Sequence, residues 1–285
     1  MLFFIVSFLA STVGAICGIG GGVIIKPVLD LLHLETVAAI SFLSGCTVLS
    51  MTCYSVGRSM LAEERRVAPR TGTPLAVGAA IGGLLGKQLF TFIRGFFENQ
   101  NTVGAVQAIC LAFITLGTLI YTVNKNRICT KEIKSPAACV AIGLALGIMS
   151  SFLGIGGGPI NLVVLFYFFS MDTKTAAANS LYIILFSQLA SVLTTVLTST
   201  VPPFSWTGLL LMMAGGIGGG IAGRALNRRM DENMVDRLFI VLMAVIIGIN
   251  FYNGWQYSIQ FGKAEHWIPR SCCAAALSEK AFLQH

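Results

Sequence analysis

The chain has 285 residues, of which 55% are hydrophobic and only 11% are charged, and its formal net charge is +7. A soluble domain carries about 25% charged residues, so this composition excludes an ordinary soluble domain and predicts an all-α, polytopic membrane protein. The eight cysteines show no CxxC or Cys/His ligand spacing and the three histidines are scattered, so we expect no metal site and no cofactor.

Eight apolar segments follow one another along the chain, separated by short polar loops. They lie near 2–32, 36–57, 72–93, 103–123, 136–169, 175–199, 206–223 and 236–254. A helix needs about 20 residues to cross a bilayer, so the first and fifth segments are longer than a simple crossing requires. Each of these two contains GIGGG, at Gly18–Gly22 and at Gly154–Gly158. Either each is one tilted, discontinuous crossing, or each is a crossing followed by a half-helix that re-enters the membrane.

The GIGGG sequences are expected to break their helices, because glycine costs roughly 1 kcal/mol relative to alanine inside a helix. A break exposes backbone amides and carbonyls. Within a bilayer such groups are tolerated only where they are buried in protein or line an aqueous cavity. The breaks are therefore candidate binding sites, and the alternative is that their glycines only allow close helix packing.

Matching patterns in the two halves indicate a tandem duplication. The GIGGG sequences lie 136 positions apart, and TVAAIS at 36–41 matches TAAANS at 175–180 if three extra residues are allowed. Glycines spaced four apart, as in close helix packing, recur at an offset of 137: Gly78, Gly82 and Gly86 match Gly215, Gly219 and Gly223. Lys87 and Arg224 follow these glycines, and either one reaches the membrane interface or draws an anion inward.

The duplication divides the chain into four parts. These are a first transmembrane repeat (1–123), a cytoplasmic linker (124–135), a second transmembrane repeat (136–257) and a polar C-terminal tail (258–285). Under eight simple crossings, the loops on the side of both termini carry more lysine and arginine than the opposite loops. The positive-inside rule then predicts both termini in the cytoplasm, in a plasma (inner) membrane.

A half-helix starting after each GIGGG would point free amides and the positive end of its dipole into the membrane, which favours an anion. Inverted-repeat transporters bind anionic substrate groups at such breaks. Pro159 suits the first turn of a restarted helix. For Lys26 the alternative role is to reach the membrane interface. The expected contacts are Gly20, Gly21, Gly22, Gly156, Gly157 and Gly158, with Lys26 after the first break and Asn161 after the second.

Neutral hydrogen-bonding side chains on the next segment of each half complete the candidate site. They are Ser41 and Ser44 in the first half, and Asn179 and Ser180 in the second. Neutral donors suit a transported anion, because binding must stay weak enough for release. The alternative is that these side chains hydrogen-bond the backbone or a neighbouring helix.

The sequence resembles the sulfite exporter TauE/SafE family of membrane proteins. The resemblance rests on GIGGGVIIKPVL, GIGGGPINLVVL and the TVAAIS and TAAANS segments, and it covers the chain up to about Tyr257. It implies a polytopic permease for sulfur-containing anions such as sulfite or organosulfonates. Pro159 and Asn161 have no equivalent in the first half, which indicates that the two halves contribute unequal contacts.

The main hypothesis is a secondary transporter of a small anion, bound between the two breaks and moved by rocking of one half against the other. Its expected partners are the anionic substrate and the lipid bilayer, and no nucleic acid. A homodimer is one of the assembly states that the sequence leaves open. One alternative is an intramembrane, thiol-dependent enzyme or assembly factor using Cys46 or Cys53, which share a helix face. An anion channel is the other.

Overall fold

The computed structural model describes residues 1–32, 35–61, 69–96, 100–153 and 157–265. Within these ranges the chain forms ten α-helices, a 3-10 turn at Lys125–Arg127, and no β-strand. The helices are α1 (Leu2–Cys17), α2 (Gly22–Leu32), α3 (Val37–Leu61), α4 (Pro69–Phe96), α5 (Gln100–Asn124), α6 (Pro136–Leu153), α7 (Gly158–Phe169), α8 (Thr173–Leu197), α9 (Trp206–Arg229) and α10 (Glu232–Glu265). Seven of them, α3, α4, α5, α6, α8, α9 and α10, are long and apolar enough to cross a membrane. The predicted all-helical, polytopic membrane fold is confirmed.

The first apolar segment contains two helices. α1 ends because Gly18 takes the left-handed conformation (φ 75°), which favours glycine, and its amide donates to the Gly14 carbonyl. α2 begins four residues later, at Gly22. In the fifth segment α6 ends at Leu153 and α7 begins at Gly158, with Pro159 in its first turn. Residues 154–156 lie outside the described part of the chain.

Two pairs of helices pack closely along the predicted glycine stripes. Gly215, Gly219 and Gly223 of α9 lie against the backbone of Phe4, Phe8 and Thr12 in α1. Gly78, Gly82 and Gly86 of α4 lie against Val140, Leu144 and Ile148 in α6 in the same way. A Cβ at any of these six glycines would come within 2.7 Å of the facing backbone, so their predicted packing role is confirmed.

These contacts give the direction of each helix. In each pair the contacting residue numbers rise together, so α1 runs parallel to α9 and α4 runs parallel to α6. α3 also runs parallel to α9, because Gly216 lies against Thr47 and Gly220 against Met51. α1, α3 and α9 therefore begin at one face, which we call the N-terminal face. α4 and α6 begin at the opposite face, where α3 ends; we call it the linker face, because residues 125–135 lie there.

The helix directions change the number of crossings. α1 begins at the N-terminal face and α2 returns to it, since only four residues separate the end of α2 from the start of α3 at that face. α6 and α7 likewise begin and end at the linker face. The assumption of eight simple crossings is therefore wrong. Residues 200–205 lie at the N-terminal face, where Phe204 contacts Phe42, and not beside the linker.

The register between the halves also differs from the TVAAIS alignment. α3 spans Val37–Leu61 and α8 spans Thr173–Leu197, so both ends lie 136 positions apart, as the two GIGGG sequences do. No three-residue insertion is needed. In this register Ser44 corresponds to Ser180, while Ser41 corresponds to Ala177.

Candidate functional site

The two helix breaks touch each other. A Cβ at Gly158, the first residue of α7, would lie 1.8 Å from the carbonyl oxygen of Ile19. At the first break, a Cβ at Gly18 would lie 2.3 Å from the α-carbon of Ala177 in α8, and one at Gly20 would lie 3.3 Å from Val48. Only glycine fits the first two contacts. In this conformation the positive end of the α7 dipole faces the Ile19 peptide.

Polar groups surround the second break. A Cβ at Gly157, whose φ is 73°, would lie 3.0 Å from the hydroxyl oxygen of Ser150 and 3.3 Å from Oδ1 of Asn161. Both oxygens are buried without a hydrogen-bond partner in the described part of the chain. At the first break the corresponding contact is between Gly14 and Gly21, where a Cβ at Gly14 would lie 2.6 Å from the Gly21 nitrogen. The polar groups at the breaks thus differ between the halves.

Lys26 is buried, with 3% of its surface exposed. Its ammonium donates to Oε1 of Gln107 (2.5 Å) and to the carbonyl of Leu153 (2.8 Å), while Nε2 of Gln107 donates to the carbonyl of Phe152 (2.7 Å). The last carbonyls of a helix lack partners within it and carry partial negative charge. Lys26 and Gln107 therefore cap the end of α6 just before the second break. The alternative in which Lys26 reaches the membrane interface is wrong.

A polar cavity lies beside this network, toward the N-terminal face. We call it the Lys87 cavity. A second cavity shares Lys87 and Phe90 with it and continues past Thr91 to Thr200 and Pro202 at the N-terminal face. The Lys87 cavity is lined by Ser41, Phe42, Gly45, Lys87, Phe90, Gln107, Ser151, Gln188, Ser191, Val192 and Thr195.

One predicted site residue lines this cavity, and another contacts a residue of its wall. Ser41 lines the wall, and Lys26 reaches the cavity through Gln107, which is both a wall residue and its hydrogen-bond acceptor. The cavity therefore has the Lys87 ammonium on one side and the Lys26 ammonium behind Gln107. Within the described part of the chain, no acidic side chain lines it.

The other predicted residues lie deeper. Ser44 and Ser180 are fully buried, and their hydroxyl oxygens have no hydrogen-bond partner among the described residues. Asn179 is also fully buried, and its amide donates to the carbonyl of Thr175 in its own helix (2.8 Å), as the backbone alternative predicts. A Cβ at Gly21 would lie 2.9 Å from the hydroxyl oxygen of Ser11. Gly22 is the first residue of α2, and Gly156 lies outside the described residues.

Sequence reasoning did not select Lys87, Gln107, Ser151 or Gln188 for the site. Gln107 and Gln188 offered a usable signal, because each is an amide side chain within a mainly apolar segment, and such residues are expensive in a bilayer. Lys87 was expected either to reach the membrane interface or to draw an anion inward, and it was not placed in the site. Cys46 and Cys53 do not line the Lys87 cavity, although the thiol hypothesis placed them in a common cavity.

A comparison of the sequence with models of protein families shows the family to which the chain belongs. The model of the sulfite exporter TauE/SafE family matches residues 3–251. The chain belongs to this family. The TauE/SafE match covers both breaks, the Lys26 network and every residue that lines the Lys87 cavity.

Two proteins of Bacillus subtilis (strain 168) are similar to the chain. "Probable membrane transporter protein YunE" is 23% identical over 265 residues, which cover 85% of this chain and 93% of YunE. "Probable membrane transporter protein YdhB" is 24% identical over 188 residues, which cover 65% of this chain and 74% of YdhB. No solved structure matches the chain significantly. The chain is therefore a membrane transporter of the TauE/SafE family and not an enzyme.

Proposed function

We propose that the chain is a secondary transporter of a small, sulfur-containing anion of the sulfite or organosulfonate class. The observation that carries this proposal is the Lys87 cavity, which is lined by an ammonium, hydroxyls and amides and by no acidic side chain among the described residues. Charged donors form the strongest hydrogen bonds to oxyanions, and neutral donors keep binding weak enough for release. The sulfur chemistry is taken from the description of the family.

The substrate path continues from the cavity toward the breaks. Ser151, near the end of α6, and Gln107 of α5, which caps that end, both line the cavity, so an anion in the cavity lies next to the second break. Ser44, Ser180 and Asn161 offer buried polar oxygens farther in. We assign the glycines 20–22 and 156–158 to the region in which the anion passes between the halves.

The two repeats are inverted relative to each other. Support comes from α1 and α6, which begin at opposite faces, and from the constant offset of 136 between the ends of α3 and α8. In inverted-repeat transporters one half rocks against the other around a central site. The contact between Ile19 and Gly158 would then be part of the barrier that separates the two sides of the membrane.

The linker face is the cytoplasmic face of a plasma membrane, and both termini lie outside. This reverses the expected position of the termini and keeps the linker in the cytoplasm. The support is the distribution of positive charge: among the described residues, only Arg94 and Lys263 occupy helix ends at the N-terminal face. The linker face carries Arg58, Lys125, Arg127, Lys131, Lys134, Lys174, Arg224, Arg228, Arg229 and Arg237.

Sulfite flux into proteoliposomes tests the proposal. We expect saturable uptake, and we expect Lys87→Gln to lower Vmax/KM about tenfold to a hundredfold, because a hydrogen bond to a charged group contributes about 1.5–3 kcal/mol. Lys87→Arg keeps the charge and should retain most of the flux. Lys134→Gln removes an exposed charge in the linker and serves as the control.

Each outcome of this experiment has a definite meaning. Equal flux in wild type, Lys87→Gln and Lys134→Gln would contradict the assignment of the cavity. Flux that rises linearly with sulfite concentration would instead favour the channel. Absence of flux for sulfite, sulfate, thiosulfate and organosulfonates would contradict the proposed substrate class.

A further inference from the structure

A second polar cavity lies at the opposite face of the protein. It opens between the end of α3, the start of α8 and the end of α9, at the linker face. We call it the Arg224 cavity. It is lined by Ala15, Ser55, Val56, Ser59, Lys174, Ala177, Ala178, Leu181, Arg224, Asn227 and Arg228.

The two cavities correspond residue by residue in the register of the repeat. Arg224 lies 137 positions after Lys87, so each cavity has a basic side chain at the equivalent place on α4 or α9. Most of the other lining positions also match. At an offset of 136 or 137, Ala15, Ser55, Val56, Ser59 and Asn227 correspond to Ser151, Ser191, Val192, Thr195 and Phe90, while Ala177, Ala178 and Leu181 correspond to Ser41, Phe42 and Gly45.

Each cavity also lies next to the end of a helix that is interrupted by a break. In the Lys87 cavity, Gln107 caps the carbonyl of Phe152 at the end of α6. In the Arg224 cavity, Nδ2 of Asn227 donates to the carbonyl of Ile16 at the end of α1 (2.6 Å). The carbonyls of Ile16 and Phe152 are again 136 positions apart. An amide side chain therefore caps the end of a broken helix at the inner wall of each cavity, on either side of the two contacting breaks.

The chemistry of the Arg224 cavity suits an anion. Nη1 of Arg224 donates to the carbonyl of Ser55 (2.6 Å), which holds the guanidinium at the wall. The hydroxyl oxygen of Ser55, a residue that is only 4% exposed, has no hydrogen-bond partner in the described chain. Lys174 and Arg228 add positive charge to the lining, which contains no acidic side chain among the residues that the structure describes.

We propose that the Arg224 cavity is a second binding site for the same class of small oxyanion, loaded from the linker face. The inference rests on the proposed function and extends it. An anion from one side binds beside Lys87, an anion from the other side binds beside Arg224, and the crossed breaks separate the two sites. Arg224 and Ser55 contact the bound anion, while Lys174 and Arg228 raise its local concentration.

The test is sulfite flux measured separately from each face, in proteoliposomes whose orientation is established by labelling. Arg224→Gln is expected to raise the half-saturating sulfite concentration at the linker face at least tenfold and to change the value at the N-terminal face less than twofold. Ser55→Ala, which keeps the main-chain carbonyl that holds Arg224, should raise it about three- to tenfold at the linker face alone. Arg229→Gln removes an exposed charge from the same end of α9, outside the cavity, and should change neither value.

The outcomes separate this inference from the proposed function. If Lys87→Gln impairs flux while Arg224→Gln and Ser55→Ala behave like Arg229→Gln, the second site does not exist and the transporter proposal stands. If Arg224→Gln raises both half-saturating concentrations equally, Arg224 acts on the fold and the inference is overturned. If neither Lys87→Gln nor Arg224→Gln changes flux, the proposed function fails as well.

Discussion

The carbonyl oxygen of Ile19, in the first helix break, lies directly against Gly158, where the second half-helix begins. A Cβ at residue 158 would come within 1.8 Å of that oxygen, so the two breaks are held together by a contact that only glycine permits. The breaks therefore form one crossed structure at the centre of the protein, and the polar cavities lie on either side of it.

Gly158→Ala should disrupt this crossing. The added methyl group collides with backbone, which cannot move aside as a flexible side chain can, so we expect lower thermal stability of the purified protein and loss of most flux. Gly117→Ala is the matched control, because nothing lies within 4 Å of a Cβ at Gly117. It should be neutral or slightly stabilising, since alanine is the better helix former. Equal stability of the two variants would argue against the crossed breaks.

Lys26→Met should destabilise the protein by about 1–3 kcal/mol, because it leaves the Leu153 carbonyl and the Gln107 amide oxygen buried without their donor. Thermal unfolding in detergent, followed by tryptophan fluorescence, measures this effect. Lys134→Met removes an exposed side chain and should unfold at the wild-type temperature. A Lys26→Met protein as stable as the control would show that the ammonium does not cap α6.

Ser180→Ala distinguishes a site residue from a structural one. The hydroxyl of Ser180 has no partner among the described residues, so its removal should leave thermal stability unchanged and raise the KM for sulfite several-fold. Ser7→Ala is the comparison, because the hydroxyl of Ser7 donates to the carbonyls of Phe3 and Phe4 and lies outside both cavities. It should leave the KM unchanged. A Ser180→Ala variant with the wild-type KM would remove Ser180 from the site.

Lys125 and Asp236 should be energetically coupled across the linker face. They form an ion pair, and Thr173 donates to the same carboxylate (3.0 Å). Both side chains are partly exposed, so a double-mutant cycle with Lys125→Met and Asp236→Asn should give a coupling free energy of about 1 kcal/mol or less, and high salt should weaken it. Additive effects of the two substitutions would show that the pair does not tie the linker to α10.

Cys129 reports the orientation of the linker. It is exposed, so in a variant whose other cysteines are replaced by serine or alanine it should react with an impermeant maleimide only in inside-out vesicles. A reporter placed before Met1 should be accessible only from the opposite side. Labelling of Cys129 in right-side-out vesicles would reverse the proposed orientation, and labelling of both positions from one side would contradict the crossings by α3, α4 and α5 that separate them.

Much of this protein follows from its sequence alone. Hydropathy, the two GIGGG sequences and the four-residue glycine spacing predict a helical membrane protein, places where its helices are interrupted, and the stripes along which helices pack. These are local properties: each depends on the residues of one segment and on the known behaviour of glycine and apolar side chains. The family resemblance has the same basis, since it rests on the same contiguous motifs.

Only the tertiary structure could show which side chains on different helices pair with each other and in which direction each helix runs. The sequence could not pair Lys26 with Gln107, which are 81 positions apart, because hydrogen-bond partners on different helices leave no periodic pattern. It also could not show that α1 and α2 return to the face from which α1 starts, since hydropathy is the same for a crossing and for a re-entrant hairpin. That return reverses the face of each helix end from α2 to the start of α6, until the return of α6 and α7 restores the simple order, and it places Lys87 and Arg224 in cavities on opposite sides of the two contacting breaks.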